Sequence, residues 1–538
     1  MLSPTSVSPA ESRVAFFSLQ QRDHPAVIEA DGRTWSRGRL SDFANQIAHG
    51  LRARSVRPGE TVAILSLNCI EFLAAYLGAT DIGAYVVPIN WHLAPAEIAY
   101  ILQNSAATVL FVHERLAPLV RLLDASGGSS GLRAIIAFGS IAELTSVEQL
   151  AAAQPTERVQ NPLMGRMLVY TSATSGRPKG VTVPLRDAEL ALSRTIEFFG
   201  LCGVRPEEGN VHLCASMLYH AGPLDCAVVA LHMGHPVVLV EKWEPELLLR
   251  LIQQHRITTS FMVPAMMVRL LKLPSGVRNS YDISGLRLVV HSGAPCPPEA
   301  KRELLDWWGP VVWEGYGAAE GSGTAVGPLE WIKRPGTVGR AIPGSQLRIL
   351  DDGGNELPAG GIGTIYFTRY TGDRFEYMDA PEATRAAYRG ELFTVGDVGY
   401  LDEEGYLFIC DRKIDLIICG GVNVYPAEIE HVLVQHPNVA DCAVFGVPDS
   451  LMGESVHAIV QPMPGIEVSA ALTSELISFL IQRISVIKVP RKIEYSLQLP
   501  RDPNGKLFKR LLREEYVARR AARSASPAAP PSAQGQNS

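Results

Sequence analysis

Apolar residues recur along the chain at two spacings. In 40–53, LSDFANQIAHGLRA, they fall three and four positions apart, which predicts an amphipathic helix. In 61–65, TVAIL, they run together and include β-branched side chains, which predicts a buried strand. The same pair follows at once: EFLAAYLGATDIG (71–83) has helical spacing and AYVVPIN (84–90) reads as a second buried strand. Alternation of this kind predicts a parallel sheet covered by helices. Strand patterns return in LRAIIAF (132–138), MLVYTS (167–172), HPVVLV (235–240) and LRLVVHSG (286–293), with ends that run into Gly, Ser and Pro. Such carboxyl ends are where open α/β sheets bind ligands. The most apolar window, Cys226 to Val240, is interrupted by His232, Gly234, His235 and Pro236, so it reads as a buried helix followed by a strand. No stretch reads as an integral membrane segment.

The pattern changes after Arg412. DLIICGG (415–421), a helix starting near Pro426, the strands CAVFGV (442–447) and VHAIVQ (456–461), and the helix LTSELISFLIQRI (472–484) make a compact α+β unit. From Arg519 to Ser538 the chain is rich in Ala, Pro and Ser and offers little to pack, which predicts disorder. The expected fold is therefore α/β: a large N-terminal domain of parallel-rich sheets layered with helices (1–411), a small α+β domain (412–518) and a disordered tail (519–538).

Bulk properties narrow the function. A chain of 538 residues, 47% hydrophobic, exceeds what one core holds, so two or more domains are expected. Lys and Arg total 49 against 55 Asp and Glu, a net charge of −6 with no basic block, which argues against nucleic acid as a partner. The eight cysteines, at 69, 202, 214, 226, 296, 410, 419 and 442, contain no CxxC pair and fit a reducing cytoplasm better than a disulfide framework. The N-terminal MLSPTSVSPAESRVAFF lacks the basic and apolar regions of a secretory signal. A homodimer is compatible with the sequence.

The strongest chemical signal is Tyr170-Thr-Ser-Ala-Thr-Ser-Gly-Arg-Pro-Lys-Gly180, a hydroxyl- and glycine-rich loop after a strand. Backbone N–H groups and the hydroxyls of Thr171, Ser172, Thr174 and Ser175 can donate to a polyphosphate, and Lys179 supplies a point charge. The loop is not a Walker sequence, because GxxxxGK[ST] is absent.

This loop resembles that of the adenylate-forming enzymes, which include acyl-CoA synthetases, peptide-synthetase adenylation domains and beetle luciferases. Other segments agree in order. Gly293-Ala294-Pro295 is similar to the family's adenine-side turn, and Glu314-Gly315-Tyr316-Gly317-Ala318-Ala319-Glu320 resembles its YGxTE segment. The resemblance implies that Tyr316 lies against adenine and that Glu320 holds Mg²⁺. Gly336-Thr-Val-Gly-Arg340 is similar to a following glycine turn; Asp397, in FTVGDVGY, and Arg412 match the residues that take the ribose hydroxyls. Gly420-Gly421-Val-Asn-Val-Tyr-Pro and Pro500-Arg-Asp-Pro-Asn-Gly-Lys506 complete the series, Lys506 matching the catalytic lysine of the C-terminal domain. The resemblance covers about residues 10 to 515. It implies ATP, Mg²⁺ and coenzyme A as cofactors, a carboxylic acid substrate, and a mobile small domain that swaps Lys506 for the Gly420–Gly421 face between adenylation and thioester formation.

Chemistry explains the residue types. A carboxylate attacking the α-phosphate of ATP approaches a polyanion, so cations placed where charge develops dominate catalysis. Three positions depart from the family pattern: Ala173 replaces a glycine of the phosphate loop, Ala319 the threonine of YGxTE, and Ile414 a polar residue at the hinge.

Weaker signals are read more plainly. Gly127-Gly-Ser-Ser-Gly131 satisfies GxSxG but precedes a strand, unlike a hydrolase elbow. His232 and His235 have no further ligands nearby in sequence and are read as core or surface histidines. Gly321, Gly323 and Gly327 miss dinucleotide spacing by one position. His220, in MLYHAG, is assigned to the acyl pocket through the family resemblance, while Met262, Val263, Met266 and Met267 fit helix core and pocket wall equally. An amino-acid-activating domain would offer an acidic partner near His220, and LYHAGPL shows none. The small residues Ala318, Ala319, Gly321 and Gly323, with the methionines, favour an apolar medium- or long-chain or alicyclic acid, including steroid-side-chain acids. Alternatives are a nucleotide-binding sensor without catalysis and an acyl-adenylate enzyme serving a carrier protein or an oxygenase reaction.

Overall fold

The computed structural model describes residues 21–125, 127–171, 178–206, 209–449, 451–501, 507 and 509–525. The chain divides into two compact units, one of residues 1–395 with 399–409, the other of 396–398 with 410–538.

The large unit is built on the two elements that the apolar spacing predicts. TVAIL forms the strand Thr61–Leu65, buried at every position, and pairs in parallel with Tyr85–Ile89 and Ala107–His113. Six parallel strands make this sheet. A second sheet of nine strands has a parallel middle that includes His212–Cys214, Thr259–Met262, Leu288–His291 and Val312–Ala318. Its edges are antiparallel, Gly321–Val326 folding back on Val312–Ala318. The helix Ile70–Asp81 is buried from Ile70 through Thr80 and shares one core with strands of both sheets, Val62 and Phe111 on one side and Val27 and Val237 on the other. A helix enclosed on all sides needs apolar residues all round, which is why EFLAAYLGAT lacks a polar face.

MLVYTS was expected as one strand. It splits into Arg166–Met167, which joins the six-stranded sheet, and Val169–Thr171, which pairs antiparallel with Lys179–Thr182 in a three-stranded sheet completed by Glu376–Tyr377. One short run of apolar residues thus serves two sheets, a tertiary effect that local spacing does not encode.

In the small unit, Val439–Asp449 and Gly453–Pro462 form a long hairpin, with Lys492–Tyr495 beside it in parallel. The helices Pro426–Leu433 and Ala470–Ile481 pack Ile429, Leu433, Leu472, Leu476 and Leu480 onto its core. Arg519–Ala525, assigned by composition to a disordered tail, instead continue the helix Lys509–Ala525. Ala and Arg are strong helix formers, and here they extend a helix already anchored by Leu512 and by Lys509, which pairs with Glu430 at 2.9 Å. No helix among the described residues is long and apolar enough to cross a membrane.

Candidate active site

Thr171 ends one strand and Lys179 begins the next, and the two face each other in register. Ser172, Thr174 and Ser175 lie between them, outside the described residues. Two residues further along the strand, Val181 faces Tyr377. The Lys179 ammonium lies 5.0 Å from the centre of the Tyr377 ring, within cation–π range.

Glu320 reaches the same tyrosine from another sheet. Ala318 pairs with Gly321, so Ala319 and Glu320 form a two-residue hairpin turn at the end of Val312–Ala318. The Tyr377 hydroxyl donates to Glu320 Oε1 at 2.6 Å, and Arg369 donates to the Glu320 carbonyl. Burial and the neighbouring carboxylate push the Tyr377 hydroxyl well above its ordinary range, so it stays a donor. Glu320 Oε2 accepts no hydrogen bond among the described residues. One carboxylate with an open oxygen fits Mg²⁺, which binds one or two carboxylates and fills its shell with water and phosphate oxygens. Among the described residues no cluster of three or more His, Cys, Asp or Glu is arranged as a metal cage.

Behind this turn is a buried charge system absent from the sequence reading. Glu314 was assigned to the nucleotide; its carboxylate is 2.6 Å from Lys301 Nζ, and Lys301 is fully buried. Burial pushes the acid up and the amine down, and their attraction opposes both shifts. His291 Nε2 lies 3.5 Å from the same carboxylate oxygen and is held far below its usual range by desolvation and by Lys301, so it is neutral. Lys301 stands in the helix Pro298–Trp308, directly after Gly293-Ala294-Pro295, while Glu314, Gly315, Tyr316 and Gly317 lie on the strand leading to Glu320. The ion pair therefore ties the 293–295 turn to the Glu320 hairpin. Gly293 has φ +86°, which a side chain tolerates poorly.

The segment assigned to the acyl pocket leads into the helix Ala221–His232. His220 is its N-cap residue, with its ring 4.5 Å from that of Tyr219. The methionine segment divides: Met262 and Met267 are fully buried in a core cluster, whereas Val263 and Met266 pack around Phe261. A Cβ on Gly222 would meet the Phe261 ring at 2.7 Å, so the helix approaches that ring closely. Gly321 has a packing reason of its own, since a Cβ there would lie 2.9 Å from Phe393. The acid sought near His220 stands one residue past LYHAGPL, at Asp225.

Two family profiles match the chain, that of the AMP-binding enzyme over residues 17–371 and that of the AMP-binding enzyme C-terminal domain over 428–506. The chain belongs to the AMP-binding enzyme family. Within it, the chain falls in the acyl-CoA synthetase branch of AMP-forming ligases. It is 32% identical to a fatty acid–[acyl-carrier-protein] ligase of Streptomyces coeruleorubidus, over 93% of this chain and 95% of that one. It is 31% identical to a long-chain-fatty-acid–CoA ligase of Mycobacterium tuberculosis, over 89% of this chain and 92% of that one. A 3-[(3aS,4S,7aS)-7a-methyl-1,5-dioxo-octahydro-1H-inden-4-yl]propanoyl:CoA ligase of Rhodococcus jostii is 31% identical, over 88% and 93%. Among solved structures, an anthranilate CoA ligase in complex with anthranoyl-AMP matches with a TM-score of 0.85 at 27% identity, covering 97% of this chain and 99% of that one.

The remaining AMP-binding residues of the sequence reading lie in the small unit. Asp397 begins the strand Asp397–Leu401, Arg412 ends Leu407–Arg412, and Arg412 Nε is 3.4 Å from Asp397 Oδ1. Gly420 and Gly421 form the two-residue turn between Ile417–Cys419 and Val422–Val424, with φ +58° and +80°. Two consecutive residues at positive φ suit a tight hairpin turn, which explains the glycine pair. Lys506 lies outside the described residues. Tyr377 and Lys301 were not found from the sequence; the signal for Lys301 was a lone lysine on the apolar stripe of an amphipathic helix.

Proposed function

We propose that this AMP-binding enzyme adenylates a carboxylic acid with ATP, releases pyrophosphate, and transfers the acyl group to coenzyme A. The observation that carries the reading is the meeting of Lys179 and Glu320 on Tyr377, the ammonium over the ring and the carboxylate at its hydroxyl. Lys179 and the 171–175 hydroxyls hold the β- and γ-phosphates. Mg²⁺ on Glu320 would neutralise phosphate charge. Tyr377 fixes the Glu320 rotamer by its hydrogen bond. Gly293-Ala294-Pro295 and Glu314–Gly317 flank the adenine through backbone and the Tyr316 ring, the Glu314 carboxylate being held by Lys301. Asp397 and Arg412 take the ribose hydroxyls, Lys506 serves adenylation, and the Gly420–Gly421 turn serves thioester formation. His220 borders the reacting carboxylate.

The substrate is an apolar acid of medium or long chain, or an alicyclic one. The apolar walls around Phe261, and the names of the Mycobacterium and Rhodococcus relatives, support this. The Streptomyces relative's name favours a second reading for the acceptor, the thiol of a carrier protein. A panel of acids incubated with Mg²⁺ and ATP, with pyrophosphate and thioester measured separately for coenzyme A and for a phosphopantetheinylated carrier, tests both. A preference for short, charged or α-amino acids would overturn the substrate assignment.

Tyr377→Phe removes a hydrogen bond to a carboxylate. It should raise the Mg²⁺ concentration for half-maximal pyrophosphate release about tenfold, as one lost charge-assisted bond implies. Magnesium titration at saturating ATP and acid checks this; an unchanged midpoint would remove Tyr377 from metal positioning.

A further inference from the structure

The stretch 369–378, which follows the strand Gly363–Phe367, touches both the Glu320 turn and the Lys179 hairpin. Near one end Arg369 donates from Nη1 to the Glu320 carbonyl; near the other the Tyr377 hydroxyl donates to the Glu320 carboxylate. The hairpin is held by backbone: Val181 pairs with Tyr377, Thr182 pairs with Glu376, and the Met378 N–H donates to the Gly180 carbonyl at 2.9 Å. Between these points the chain is anchored to the core. Phe375 is fully buried with its ring 5.1 Å from that of Phe393, and its N–H donates to the Tyr388 hydroxyl at 2.9 Å.

Arg369 and Asp373 form the buried middle of this stretch. Arg369 Nε donates to Asp373 Oδ1 at 2.6 Å, the Thr371 hydroxyl donates to the same oxygen, and Arg166 Nη1 donates to Oδ2 at 3.1 Å. The Asp373 side chain is wholly inaccessible and that of Arg369 nearly so. Burial opposes ionisation of Asp373, but the hydrogen bonds from Thr371 and Arg369 and the charges of Arg369 and Arg166 outweigh it and hold the carboxyl below its ordinary range. Arg166 Nη1 also donates to the Pro184 carbonyl at 3.0 Å, two residues past the strand Lys179–Thr182. Asp373 is thus linked through Arg369 to the Glu320 turn and through Arg166 to the outgoing end of the hairpin. Gly321 fits the same arrangement: a Cβ there would lie 3.2 Å from Arg369 Cγ, so the turn rests on the stem of that arginine.

We infer that Arg369 is a positioning residue for Glu320, aligned by Asp373, and that the chain Arg166–Asp373–Arg369 sets the Glu320 turn in register with the Lys179 hairpin. This role rests on the reading of Glu320 as the metal carboxylate and Lys179 as the phosphate cation. A guanidinium suits it because one planar group presents donors in two directions, Nε to Asp373 and Nη1 to the Glu320 carbonyl, whereas an ammonium is a single point charge. Tyr377 fixes the carboxylate; Arg369 fixes the backbone that carries it. Groups behind a metal ligand typically govern metal affinity by about 10–100-fold, and a misplacement of about 1 Å at a reacting site costs about 10²-fold in rate.

The test compares Arg369→Lys and Arg369→Met with the wild type. Lysine keeps the charge beside Asp373, and methionine leaves Asp373 with Arg166 and Thr371, so neither strands a buried charge. Both should keep the wild-type near-ultraviolet circular dichroism. By calorimetry, the factor by which Mg²⁺ tightens binding of α,β-methylene-ATP should fall about tenfold or more in both, while binding without Mg²⁺ stays within about twofold of wild type. Pyrophosphate release should drop and recover in part at excess Mg²⁺. Thioester formation from preformed acyl-adenylate should stay near wild type, which general structural damage would not spare. Arg166→Met, which leaves Asp373 with Arg369, probes the hairpin end: it should weaken binding of the analogue without Mg²⁺ by about threefold or more, as one lost hydrogen bond implies. A Mg²⁺ factor unchanged in Arg369→Lys, or equal losses in both half-reactions, would overturn the role of Arg369 and leave the ligase reading intact. Wild-type binding without Mg²⁺ in Arg166→Met would overturn the link to the hairpin. No pyrophosphate release by the wild type with any acid would overturn the ligase reading as well.

Discussion

Lys506→Ala should slow pyrophosphate release by about 10²–10³-fold, the loss expected when one preorganised charge-stabilising group is removed from a transition state. Formation of the thioester from preformed acyl-adenylate should stay within a few-fold of wild type. The reason lies in where charge develops. Attack on the α-phosphate gathers negative charge on phosphate oxygens, and Lys506 is the cation assigned to it; thiol attack displaces AMP from a neutral carbonyl and asks for no such cation. Rapid-quench assays of the two half-reactions separate them. Equal losses in both would contradict the division of labour between Lys506 and the Gly420–Gly421 turn.

Lys301→Met should be the most damaging substitution for stability. It leaves Glu314 in an apolar cluster without its ammonium, and breaking a buried pair by removing one partner costs about 3–5 kcal/mol. His291 cannot replace the lost charge, because gaining a proton at a fully buried site is itself opposed by desolvation. The sign of the pH dependence follows. Without Lys301 the folded Glu314 carboxyl rises further above its unfolded value, so the defect is largest at neutral and alkaline pH and shrinks as pH falls through the unfolded carboxylate range near 4.5. Denaturant melts at pH 5 and pH 8 should show this, and Lys301→Met with Glu314→Gln should recover much of the loss. A defect of equal size at both pH values would mean that packing, not charge, is what Lys301 supplies. Because the pair joins the 293–295 turn to the Glu320 hairpin, the single variant should also weaken ATP binding.

How much of this was legible in the chain depends on the range of the interaction concerned. TVAIL and AYVVPIN show the parallel sheet because burial on both faces of a strand demands continuous apolar residues. Glycines 420 and 421 were read from the family pattern, and the structure adds a local reason for them, a two-residue turn at positive φ. Long-range pairing is not written in local spacing. Lys301 and Glu314 are thirteen residues apart on different elements, and Tyr377 meets Glu320 across 57 positions. MLVYTS was divided between two sheets by partners at 85–86 and 179–181. The Ala- and Arg-rich start of the tail looks structureless by composition alone, yet a helix already nucleated at Lys509 carries it to Ala525.

The central claim, that an acid and ATP are joined here as an acyl-adenylate, is tested most directly by acid-dependent ATP–pyrophosphate exchange in the absence of any thiol. Labelled pyrophosphate should enter ATP only when a suitable acid and Mg²⁺ are present, and Lys179→Ala and Glu320→Gln should each abolish most of that exchange. Acid-independent release of ADP and phosphate, or no exchange with any acid across the panel, would contradict it.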